Sequence, residues 1–166
     1  VRLSLTKGNP GLKRIRLQIG WEKTSGKGVD IDISSFGIGA DDRANEKHLV
    51  FFHQKESSDG AVQHSGDNRV GLADASQAAE SIVMDLSKVS SDIVKHRAFV
   101  TIDRAVERGQ TFGSLKQAWF KIINDETGEV IREYDLDAQF TTAISMEIGA
   151  VTREGENWVF HERSEE

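Results

Sequence analysis

Apolar and polar residues alternate with a period of two along most of the chain. Ile15, Leu17, Ile19 and Trp21 interleave with Arg14, Arg16, Gln18 and Gly20, the pattern of a strand with one face in a core. Val29, Ile31 and Ile33 interleave with Asp30, Asp32 and Ser34 in the same way. Leu49 to Phe52, Ser81 to Leu86 and Ala98 to Ile102 are short apolar runs that read as more buried strands. Ala118, Phe120 and Ile122 alternate with Trp119, Lys121 and Ile123, which predicts a strand apolar on both faces and central in its sheet. A turn cluster at 124–128 leads into a partner strand over Val130 to Tyr134, and the strands 144–153 and 158–161 flank a closing hairpin turn. Helical signals are short. Asp74 and Gln77 have capping-box spacing ahead of Ala78 and Ala79, and single turns are predicted near Ser90 to Lys95 and Arg104 to Arg108. Many short strands separated by turns predict an all-β fold, an antiparallel β-sandwich of two packed sheets with short helical turns in its loops.

Composition narrows the function classes. At 166 residues the chain has the length of one domain, 1–166, with 25–28 and 56–60 as loops inside it. There is no cysteine, so disulfides and thiolate chemistry are excluded. No apolar run approaches the ~20 residues needed to cross a bilayer, and no signal peptide opens the chain. Direct membrane insertion is not expected, and residence in the cytoplasm is. The net charge of −6 suits cations better than nucleic acid, whose phosphates need a basic face.

Two groups of residues carry candidate chemistry. Asp30 and Asp32 lie two apart on a strand and so share its outer face. Adjacent carboxylates disfavour each other's ionisation unless a cation sits nearby, and calcium accepts several oxygen ligands at flexible geometry. A solvated polar strand face explains the same alternation. The loop from Gly66 through Asp67 and Asn68 to Gly71 offers a carboxylate, an amide oxygen and backbone carbonyls, although these are also ordinary turn formers. An EF-hand is excluded, because the sixth position counted from Asp30 is Ser35 where glycine is required. The five histidines show no metal-ligand spacing, and no nucleophile elbow, P-loop or dinucleotide fingerprint occurs. A hydrolase using His64 beside Asp67 rests on proximity alone, and no enzyme is expected. Lys13, Arg14 and Arg16 form a small basic patch that reads as a solvated edge guarding against unwanted pairing.

The order of landmarks along the chain adds more than any one of them. It opens with Leu3 to Gly8, continues with Gly20-Trp21 and with Asp30, Ile31, Asp32, Ile33 and Ser34, and then shows Ser58, Asp59, Gly60, Ala61 and Val62 followed by His64 to Arg69. Asp85 to Val89, Arg108 to Gly113, Tyr134 to Leu136, and Met146, Gly149, Arg153, Gly155, Trp158 and Phe160 complete the series. In these residues the chain resembles the bacterial TerD family of tellurium-resistance and general stress proteins.

The resemblance implies a β-sandwich that binds calcium through acidic loops near one end, in the bacterial cytoplasm, without enzymatic activity. It implies partners among other stress-resistance proteins, membrane-associated ones included. By matched position it assigns Asp30, Asp32, Asp67 and Asn68 to the calcium region and Glu80 as a further ligand. The family's acidic run before that glutamate ends in a carboxylate pair, whereas here Ala78 and Ala79 stand in its place. Fewer ligand charges mean weaker calcium binding, so a reduced or vestigial calcium site is expected. The alternative is a metal-independent interaction module that uses the altered segment 72–79.

Overall fold

A computed structural model of the protein describes residues 2–22, 31–65, 77–102, 116–135 and 145–162. Its strands are β1 (Arg2–Ser4), β2 (Arg14–Glu22), β3 (Ile31–Gly39), β4 (Ala44–Val50), β5 (Val62–His64), β6 (Gln77–Asp85), β7 (Ile93–Ile102), β8 (Lys116–Asn124), β9 (Val130–Asp135), β10 (Ser145–Glu154) and β11 (Asn157–Glu162). Among the described residues one short 3-10 turn, Leu86–Lys88, interrupts them. Sheet A has the order β1-β11-β10-β7-β3-β4 and sheet B the order β5-β6-β2-β8-β9. Every strand pairing is antiparallel.

The two sheets bury their inner faces against each other, as the alternating pattern requires. Ile15, Leu17, Ile19 and Trp21 of β2 join Ile31 and Ile33 of β3, Val100 and Ile102 of β7, and Phe120 and Ile122 of β8 in one buried cluster. Each such side chain contributes roughly 1.5–3 kcal/mol through burial. Phe120 of sheet B lies 5.9 Å from Phe160 of sheet A, and Tyr134 stacks on Phe120 at the same distance, which closes the sandwich near β9. The turn after β8 is held by Asn124 Oδ1, which accepts the N–H groups of Glu126 and Thr127, and by Gly128 at a φ of 81°. The final hairpin turns at Gly155 with a φ of 63°, a conformation glycine adopts without strain.

Four expectations from the sequence are corrected. Ser90 to Lys95 make no helical turn, since β7 begins at Ile93; the turn expected at 104–108 lies outside the described residues. Gln77, Ala78 and Ala79 do not open a helix. They are the first residues of β6, paired with Glu22, Trp21 and Gly20 of β2. The backbone groups of β2 need partners along its whole length, and this tertiary demand outweighs alanine's helix propensity. Phe51 and Phe52 lie in a turn closed by reciprocal bonds between the backbones of Phe51 and Gln54, and Phe52 is exposed. Arg14 and Arg16 sit on β2, which is the middle strand of sheet B and not an edge. Gly20, also on β2, leaves room for the Trp119 ring of β8, which occupies the place a Cβ would take.

Candidate functional site

The register of the strands brings four connections to one end of the sandwich. Glu22, the last residue of β2, pairs with Gln77 and Lys116, the first residues of β6 and β8. Ile102, the last of β7, pairs with Ile31, the first of β3, while Thr101 pairs with Ser145, the first of β10. Asp135, the last of β9, pairs with Trp119 near the start of β8. The strand ends that flank 23–30, 103–115 and 136–144, and the start of β6 after 66–76, therefore lie at this end. Asp30, Asp67 and Asn68 belong to these segments and lie outside the described residues. Of the segment 72–79, residues 72–76 lie outside them too.

Asp32 and Glu80 are the two expected ligands within the described residues. Asp32 is the second residue of β3 and alternates out of the core, partly exposed. Glu80 alternates inward from β6 and is 2% exposed. Its Oε1 accepts the backbone N–H of Ile33 at 2.9 Å, a bond from one sheet to the other. His64 Nε2 lies 2.8 Å from the same Oε1 and 3.1 Å from the carbonyl oxygen of Ile33. A carbonyl only accepts, so Nε2 is the protonated nitrogen and serves both oxygens. These contacts have a topological cause. β4 pairs with β3 only as far as Ser35, opposite Val50. On that side, away from β7, the backbone of Ile33 has no strand partner among the described residues, and Glu80 and His64 supply the missing acceptor and donor.

Glu80 Oε2 is buried and has no hydrogen-bond partner. A buried carboxylate oxygen without a donor is costly unless a cation compensates it. Among the described residues no group of three histidine, aspartate or glutamate side chains is arranged to hold a metal ion.

A second polar cluster, not anticipated from the sequence, lies between the inner face of sheet A and the turns after β4 and β6. Asp59 Oδ1 accepts the Ser57 hydroxyl and the Ala61 N–H, and Oδ2 accepts the Ser90 N–H. Arg153 Nη2 donates to the Ser90 carbonyl at 3.2 Å, so Ser90 is held from both sides. His48 Nδ1 stands 3.5 Å from Asp59 Oδ2. Burial raises the Asp59 carboxyl, but the Ser57 hydroxyl, the Ser90 and Ala61 amides and nearby His48 outweigh it and hold the group below the usual carboxylate range. His96 is fully buried, with Nδ1 3.2 Å from Ser35 Oγ and Nε2 unpartnered. Burial lowers its pKa to about 4; Asp59 opposes this, while His48 and Arg153 add to it. Gly37 on β3 makes room for the cluster, since a Cβ there would overlap His48. The sequence signal was Ser58 to Val62, quoted as a family landmark. The structure shows this stretch to be a turn locked by Asp59.

The basic patch is compensated within the fold. Arg14 and Arg16 each place Nε 2.8 Å from Asp125, and Arg16 also donates to Ser81 Oγ. Burial raises the Asp125 carboxyl, and the two guanidinium groups more than reverse this, leaving it below its ordinary value.

The family model described as the TerD domain matches residues 1–165. The chain belongs to the TerD family. It is 33% identical to General stress protein 16U of Bacillus subtilis over 163 residues, covering 96% of this chain and 83% of that protein. It is 34% identical to the B. subtilis protein YceE, covering 96% and 84%. It is 32% identical to the Tellurium resistance protein TerD of Serratia marcescens, covering 95% and 83%. Among solved structures, SAV2460, titled a protein of unknown function, superposes with a TM-score of 0.74 at 19% identity, over 92% of this chain and 88% of that one. A homologue of telluride resistance protein (TerD), SCO6318 from Streptomyces coelicolor A3(2), superposes with a TM-score of 0.65 at 20% identity, with the same coverage. At these identities the two structures speak for the sandwich fold of this TerD-family chain and not for its site. No helix among its described residues is long and apolar enough to cross a membrane.

Proposed function

We propose that this chain is a non-enzymatic binding module of the bacterial stress and tellurium-resistance response that uses a weak calcium site to order one end of its sandwich. Asp30, Asp67, Asn68 and Glu80 supply the oxygen donors; Asp32, also expected as a ligand, alternates to the outer face of β3 and is turned away from Glu80 between the sheets. One observation carries the reading: Glu80 Oε2, a carboxylate oxygen buried without a donor, on β6, the strand that follows the candidate loop 66–71 in the chain. Bound calcium supplies positive charge and a centre that draws several oxygens together. The chain's own part is to hold the Glu80 carboxylate between the sheets.

The relatives named for general stress and tellurium resistance support the cellular role, and they are bacterial proteins. We place the module in the bacterial cytoplasm, acting on other stress-resistance proteins, membrane-associated ones included. The non-enzymatic reading draws support from His64, the hydrolase candidate, whose Nε2–H is spent on Ile33 and Glu80. The loss of a carboxylate pair at Ala78 and Ala79 sets the expected affinity near the weak end for calcium modules, roughly 10⁻⁴–10⁻³ M. Calorimetric titration of the purified protein, paired with melting curves at millimolar calcium, tests this. Heat of binding and a raised Tm are expected. Neither heat nor a shift at 10-fold above about 10⁻³ M removes the calcium reading.

A further inference from the structure

We infer that Ser58 is a nucleophilic serine, a covalent modification site that takes an acyl group from an activated ester, with His48 as its base and Asp59 positioning that base. Neither the calcium ion nor its ligands enter this assignment, and a single adduct per chain leaves the non-enzymatic reading intact.

β4 carries an enlarged bulge. Phe36 pairs with Leu49 and Ile38 with Ala44, so residues 45–48 stand opposite Gly37 alone. Bulges re-aim side chains. This one turns His48 inward over the space that Gly37 leaves, and the residue is 5% exposed. The two ring nitrogens face different partners. Nε2 lies 3.3 Å from Ser58 Oγ, and Nδ1, buried and with no closer partner, lies 3.5 Å from Asp59 Oδ2. This is the order of nucleophile, base and carboxylate in acyl-transfer triads. A carboxylate beside Nδ1 favours the tautomer with the proton there, which leaves the Nε2 lone pair to accept the Ser58 O–H. The distances are long for hydrogen bonds, as is common before substrate binds, and shorten once the imidazolium forms.

The three groups are held in place from outside. Asp59 is fixed by the Ser57 hydroxyl and the Ala61 and Ser90 amides. Ser58 N–H donates to the Lys47 carbonyl at 2.9 Å, which ties the nucleophile to the residue before the base. Ser58 itself is exposed, so an electrophile can reach Oγ. In the reaction Oγ attacks the ester carbonyl while its proton passes to His48 Nε2. The Oγ–C bond forms and the C–O bond to the leaving group breaks. The leaving group departs with the electron pair and takes the proton from the imidazolium. Ser58 ends as an ester and His48 as neutral imidazole.

The test uses p-nitrophenyl acetate, with release of p-nitrophenolate as the rate and peptide mass spectrometry as the site. Ser87 is the internal control, an exposed hydroxyl that faces Asp85 Oδ1 in place of an imidazole. Ser58 is expected to be acetylated at least about 100-fold faster than Ser87, the usual scale of a positioned base. His48→Gln, with circular dichroism as the folding control, should bring Ser58 down to the Ser87 rate. Equal acetylation of the two serines in wild type, or an unchanged Ser58 rate in folded His48→Gln, overturns the assignment. Release beyond one equivalent supports the nucleophile and overturns the non-enzymatic reading instead. The ring-nitrogen resonances of wild-type His48 give a second measurement that needs no variant to fold. They must place the proton on Nδ1, and in Asp59→Asn that preference should weaken. A proton on Nε2 in wild type leaves Ser58 without a base and overturns the assignment.

Discussion

The carboxylate of Glu80 on one sheet accepts the backbone N–H of Ile33 on the other at 2.9 Å, in the place a neighbouring strand would otherwise occupy. Glu80 is thus a structural tie as well as a candidate ligand, and its two oxygens separate the two roles. Glu80→Ala leaves Ile33 N–H buried without an acceptor and His64 without its charged partner, and is expected to cost roughly 2–4 kcal/mol. Glu80→Gln keeps an acceptor oxygen for Ile33 and removes the charge, so in calcium-free buffer it costs much less. Urea denaturation of the two variants checks the order. Equal losses would show that the tie contributes nothing.

Asp59 fastens two turns at once. Asp59→Ala strips the acceptor from Ser57 Oγ and from the amides of Ala61 and Ser90, with an expected loss of roughly 2–3 kcal/mol. Hydrogen exchange at Ala61 and Ser90 should accelerate more than at Leu17 in the core. Uniform acceleration would mean that the turn has no stability of its own to lose.

His96 gives stability a pH dependence whose sign is determined. Its folded pKa of about 4 lies below histidine's ordinary value of 6.5, so the unfolded chain takes up the proton first as pH falls. Stability is fully present above pH 6.5 and declines towards pH 4, by about 3 kcal/mol in all. The charged and titratable groups around it are His48 on β4, Asp59 in the turn and Arg153 on β10. Asp59 and Asp125, both lowered, add their losses only at more acidic pH. Denaturation curves across this window should show the decline in wild type and its flattening in His96→Leu, even though the variant begins less stable. An unchanged slope would contradict the assignment to His96.

Gly20 leaves the space that the Trp119 ring fills on the outer face of sheet B, and Lys121 Nζ lies 4.1 Å from the ring centroid. Gly20→Val should displace the indole, shift its fluorescence to the red and destabilise by roughly 1–3 kcal/mol. A variant with wild-type emission and stability would show that Trp119 is not seated there.

Strand order apart, most of the sandwich was legible in the sequence, because a period of two reports burial residue by residue. Ile15, Leu17, Ile19 and Trp21, and Ala118, Phe120 and Ile122, landed inside, and Gly155 marked the last hairpin. What misled was local preference under tertiary demand. Ala78 and Ala79 favour a helix in isolation, yet β2 required partners for Trp21 and Gly20. Arg14 and Arg16 read as an edge because nothing in their own segment announces Asp125, more than a hundred residues away. The candidate site was legible as a list and not as a geometry. Glu80 was assigned from its matched position, but its bond to Ile33 follows from where β4 stops, which no sequence pattern encodes. The cluster of His48, Asp59, His96 and Arg153 was invisible for the same reason: it assembles from three strands and a turn.

The most direct test of the central claim is a crystal structure grown with calcium in the buffer. The account predicts anomalous density from a calcium ion at about 2.3–2.6 Å from Glu80 Oε2, with Oε1 still bonded to Ile33 and His64. A structure in which Oε2 meets only water or a lysine or arginine side chain, with no ion at this end of the sandwich, would contradict it.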